Sequence, residues 1–116
     1  GQNMDRFLLE KDILSAEHDL YEDDKHEHLS EQGVKTYLQA WHQLLTYYKK
    51  NADNSISVEM VREYIDWIDL FATIWRNEKR SAASREIASE ACSELRLYMN
   101  GIIEAVDNRI YPEGRD

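Results

Sequence analysis

Apolar residues recur every three or four positions along most of this chain, and from Val34 to Asn100 no glycine or proline interrupts them. Those two residues are the ones that break and turn a backbone, so their absence leaves helix as the low-cost conformation. The pattern predicts four helices, over about 4–26, 31–50, 58–77 and 82–110. In the first, Leu9, Ile13, Ala16 and Leu20 share one face, and Phe7, Leu14 and Tyr21 form a second stripe beside it, giving a wide apolar face. A polar run, 22–33, then ends at Gly33. Ser30 is the expected N-cap of the second helix, with Glu31 in its first turn where the helix dipole favours an acid.

The second helix carries Val34, Tyr37, Leu38, Trp41, Leu44, Leu45 and Tyr48 on one stripe, closed by Lys49 and Lys50. Residues 51–55 read as a loop, and Ser57 as the cap of the third helix. That helix presents Val61, Tyr64, Ile65, Ile68, Phe71, Ala72 and Trp75, widened sideways by Met60, Trp67 and Ile74. A face so wide belongs to a helix at the centre of the bundle, or to one whose Trp67 edge meets a second chain. The fourth helix places Ile87, Ala88, Ala91, Leu95, Tyr98, Met99, Ile102, Val106 and Ile110 on its face, with Pro112 and Gly114 beyond it.

Between the last two helices only the register changes. The Trp75 phase calls for apolar residues near 79 and 86, where Lys79 and Glu86 stand, so a tight turn is expected at 77–81. The rival is one helix of about 50 residues, roughly 75 Å long, which would have to dimerise to bury its face. No internal repeat is visible. The fold expected is an all-α, up-and-down four-helix bundle, with a homodimer as an option.

At 116 residues this is a single domain, with the first three residues read as a tag remnant or disordered end and 112–116 as a disordered tail. Its 42% hydrophobic content lies well above that of a disordered chain, so a stable core needs no disulfide or metal. No apolar run is long enough to span a bilayer, which argues against a membrane role. Cys92 stands alone, with no partner for an internal disulfide, and fits a reducing cytoplasm.

Charge narrows the function further. The net −9 is concentrated in residues 1–33, where ten acids face Arg6, Lys11 and Lys25. Such a surface repels phosphate backbones and argues against direct nucleic-acid binding. A local basic cluster, Arg76, Lys79, Arg80 and Arg85, sits at the expected turn, where cations also suit the end of a helix.

Candidate chemistry is sparse. His18, Glu22 and His26 stand four apart, but a third ligand two turns along a helix cannot reach the same ion, so another helix would have to contribute. Glu59, Glu63 and Asp66 run along one side of the third helix and could hold Mg²⁺ or Mn²⁺ through shared waters, with Glu22 and other first-helix acids completing the sphere. The second helix, with no acid after Glu31, offers such a site nothing. Cys92 reads as an inert thiol, His42 as a partly buried structural residue, and no serine occupies a strained elbow.

The expectation is therefore a small acidic, non-enzymatic interaction or regulatory protein without a cofactor, and with a protein partner. In one version it is an inhibitor that occupies a basic groove. Its contacts would come from Asp19, Asp23, Asp24 and Glu27, the Trp67 edge, and the basic residues Arg76, Lys79 and Arg80. The alternatives are a metal-dependent nucleotide hydrolase or metal-binding bundle, and a helical subunit of a nucleoprotein assembly.

Overall fold

In a computed structural model the chain is an all-α four-helix bundle: α1 Gln2–Lys25, α2 Glu31–Lys50, α3 Val58–Arg76 and α4 Ala82–Ile110. The structure describes residues 2–26, 31–50 and 57–110, and side chains within those from Met4 to Asn108. The Ser30 cap, the 51–55 loop, Glu27 and the Pro112–Gly114 stop lie outside the described residues.

Local signals set the ends that can be seen. Ser57 is extended, and its hydroxyl accepts a hydrogen bond from the Met60 amide at 3.1 Å, starting α3. The turn after α3 separates it from α4, so the single-helix rival is excluded. The Asn77 amide donates back to the Ile74 carbonyl, and the Asn77 side-chain oxygen accepts from the Lys79 amide at 3.1 Å. Ser81 then caps α4, accepting from the Ser84 amide at 3.2 Å. The Arg85 guanidinium reaches back 2.9 Å to the Trp75 carbonyl and satisfies a group that the end of α3 leaves open.

Side-chain size decides which helices approach closely. Backbones pack tightly in the pairs α1–α2, α2–α4 and α3–α4. Small residues allow this: Ala16 and Ala40 are buried on α1 and α2, and Ala88, Ala91 and Ser84 on α4. At Gly33 an added Cβ would lie 3.2 Å from Leu20 Cδ2 and 3.1 Å from Asp23 Oδ2, so α2 passes close to the α1 side chains there. By contrast, α2 and α3 meet through rings. Tyr37 lies 4.7 Å from Phe71 and Trp41 5.3 Å from Tyr64, centroid to centroid, in tilted and edge-to-face contacts. These rings hold the two backbones apart and fill the core, where Tyr37, Trp41, Tyr48 and Phe71 are fully buried. The result is flattened, 53 × 31 × 17 Å.

The helix α1 departs from expectation. Its first stripe is buried as read, at Ile13, Ala16 and Leu20, with Leu9 packed at the margin. The second stripe is not: Phe7, Leu14 and Tyr21 are 59%, 53% and 55% exposed. The reason is the stand-off between α1 and α3, whose backbones do not pack closely and are linked by long side chains instead. Trp75 also lies outside the core despite its apolar phase, because it sits at the last turn of α3 with the Arg76 guanidinium 5.9 Å from its ring.

Candidate protein-docking surface

Along α1, the Phe7–Leu14–Tyr21 line is bordered on one side by Glu10, Glu17 and Asp24 and on the other by Lys11, His18 and Lys25. Each set repeats every seven residues, so each runs nearly straight along the helix. Of the acidic column, the two outer members are tied to the rest of the bundle. The Tyr64 hydroxyl donates to Glu10 Oε1 at 2.6 Å, and the Tyr48 hydroxyl lies 2.8 Å from Tyr64 and 3.2 Å from the same carboxylate oxygen. Burial first, with the bond to Glu10 second, pushes the Tyr64 hydroxyl far up from its usual range; burial pushes Tyr48 up to about 12. At the other end Asp24 pairs with Arg80.

Glu17, between them, accepts no hydrogen bond and meets no cation among the described residues. Partial burial raises its carboxyl above the usual value. It sits in a groove of about 380 Å³ between α1 and α3, floored by Leu14, Tyr21, Trp67 and Leu70 and edged by Asp66, Asp69 and Thr73. Asp69 is held by Arg96 of α4 at 2.9 Å; Asp66 has no such partner among the described residues. Trp67 is anchored edge-on against Trp41 and Tyr64 and remains 38% exposed toward the groove. The site is thus an apolar floor with two carboxylates beside it that are unpaired among the described residues, carried on two helices.

The other sequence candidates scatter. Asp19 and Asp23 line a separate groove of about 340 Å³ between α1 and α2, while Asp24 turns to the opposite flank. The C-terminal acids of α1 therefore do not form one patch. Arg80 is only 3% exposed and binds Asp24, joining α1 to the α3–α4 turn, so it is withdrawn from any surface contact. Arg76 lies over Trp75, Arg85 caps α3, and Lys79 is exposed. The basic cluster is largely used by the fold itself.

Glu22 faces His26 at 3.5 Å, both half exposed. Glu59, Glu63 and Asp66 are exposed on α3. Among the described residues no three His, Cys, Asp or Glu side chains gather closely enough to hold an ion, so Glu22, Glu59, Glu63 and Asp66 do not converge. His42 bridges to Glu94 at 3.0 Å and contacts the Tyr98 ring, a structural role. Burial raises the Cys92 thiol above its usual value, which disfavours the reactive thiolate.

Sequence reading gave Glu10 no role and took Glu17 only as the start of an acidic contact stretch over 17–31 and as one of the first-helix acids weighed for a metal site. The signal available was their seven-residue spacing with Asp24 beside an apolar line of the same period. Among the described residues no helix is long and apolar enough to cross a membrane. Neither family models, nor curated proteins, nor solved structures give a match to this chain.

Proposed function

We propose that this chain is a small acidic protein-interaction module, working without catalysis in a reducing cytoplasm and regulating its partner by occupying a basic surface on it. The observation that carries this reading is the exposed α1 stripe running into the α1–α3 groove. A helix 24 residues long leaves Met4, Phe7, Leu8, Leu14 and Tyr21 outside the core. Single exposed apolar residues need no explanation, but a straight line of them opening into a groove of apolar and acidic side chains marks a contact site. The acidic charge of residues 1–33 steers a basic partner toward that face, with association weakening as salt rises. A homodimer through the same face is the weaker version, because it brings two acidic α1 helices together.

Site-specific photocrosslinking in cells tests this. A benzophenone side chain at position 14 is expected to yield one discrete protein adduct, and the same group at Glu86, exposed on α4, none. Equal adduct patterns from both positions would remove the α1 face from consideration.

A further inference from the structure

We infer that the α1–α3 groove receives a basic amphipathic helix from another protein, with apolar residues on Leu14, Tyr21, Trp67 and Leu70 and a lysine or arginine seated between Glu17 and Asp66. The inference rests on the interaction role proposed above and adds the chemistry of the occupant.

Shape is the first support. On α1 the groove is lined from Leu14 to Tyr21, about 10 Å at 1.5 Å per residue, and Phe7 carries the exposed apolar line about 10 Å further, so a helix lying alongside meets it over about four turns. A seven-residue period is the one that keeps two helices in register at a shallow crossing angle.

Charge is the second. In the column Glu10, Glu17, Asp24 the outer two carboxylates have internal partners, and the middle one has none among the described residues. Glu17 loses hydration against Leu14 and Tyr21 without gaining a counter-charge, and Asp66 across the groove has the same sign. A seated cation satisfies both. A second copy of this chain does not suit the position, because its own α1 would place another Glu17 column there and each chain carries a net −9.

The test uses the whole chain and a labelled helical peptide of about 18 residues, with leucines on a heptad seam and lysines and arginines flanking them. Fluorescence anisotropy should show saturable binding that weakens with salt, and a charge-reversed peptide should bind at least about tenfold more weakly. Leu14→Glu and Glu17→Lys should each lower affinity about tenfold or more, with melting curves confirming the fold, while Glu86→Gln, exposed on α4, leaves it unchanged. Equal binding by Leu14→Glu, or by the charge-reversed peptide, overturns the inference. So does sedimentation showing a dimer that Leu14→Glu dissolves, or binding to anionic vesicles alone. If crosslinking at position 14 succeeds while the basic peptide fails here, the docking face stands and only its occupant is misassigned.

Discussion

Helices α1 and α2 lie side by side and use their apolar residues in opposite ways. On α2 every residue of the apolar stripe is buried or packed at the core margin, and three of the largest buried side chains, Tyr37, Trp41 and Tyr48, belong to it. Among the described side chains of α1 only Ile13, Ala16 and Leu20 are buried, and five large apolar ones face outward. The apolar residues of α2 gather on one face, whereas those of α1 are spread round more of the helix. The neighbours widen the difference: α2 touches three helices, while α1 packs closely on one and is tethered to α3 through Glu10. One helix builds the fold, and the other supports the fold with half its apolar surface and offers the rest.

The sharpest way to break that comparison is a pair of adjacent residues. Ile13→Ala should cost about 2–5 kcal/mol, as a buried truncation does, and Trp41→Ala about 3–5 kcal/mol. Leu14→Ala, one position away and more than half exposed, should stay within about 0.5 kcal/mol. Denaturant unfolding measures all three, and a large loss from Leu14→Ala would mean that the second stripe is core after all.

The tether comes next. Tyr64→Phe removes the donor to Glu10 while leaving the Tyr48 hydroxyl 3.2 Å from the same oxygen, so the expected loss is about 1 kcal/mol. Hydrogen exchange should show the N-terminal half of α1 opening more readily in that variant, with α2 protected as before. Alkaline pH probes the same group. Tyr37, Tyr48 and Tyr64 all have folded values raised above the usual 10.0, chiefly by burial, so the folded state keeps protons that the unfolded chain releases. Their contribution is complete below pH 10 and is lost as pH rises through the folded values, so thermal scans should show Tm falling only above about pH 10.

Smaller effects sharpen the picture. Gly101 lies within α4 with open space where a Cβ would stand, so Gly101→Ala should stabilise by about 0.5–1 kcal/mol. Glu17→Gln should raise Tm slightly at neutral pH. Its folded carboxyl is raised, so the stabilising proton is held below the unfolded value of 4.5 and lost as pH climbs, and glutamine abolishes that loss. The gain should vanish in acid. The same change should weaken the basic peptide, so stability and binding would move in opposite directions at one residue.

The sequence made most of the fold legible because its signals are local. Ser57, the register break between Trp75 and Lys79, and the basic residues closing α2 give the helix ends within a residue or two. The site was only half legible. Phe7, Leu14 and Tyr21 were visible as a stripe, but period alone does not say which of two adjacent stripes meets the core; that is decided by how far the α2 and α3 rings push α3 away. Trp67 was found from the unusual width of α3's apolar face. Arg80 read as a helix-end cation, because its partner Asp24 lies 56 residues away and no local pattern announces it. Glu10 was hidden for the same reason, being one acid in a run of acids until Tyr48 and Tyr64 are folded against it.

The most direct measurement is an amide chemical-shift map of the chain titrated with the basic helical peptide. Shifts should concentrate at residues 14–21 of α1 and 66–73 of α3 and be absent from the outer face of α4. Shifts confined to α4 or to the Asp19–Asp23 side of α1, or spread evenly over every acidic residue, would contradict a docking groove between α1 and α3.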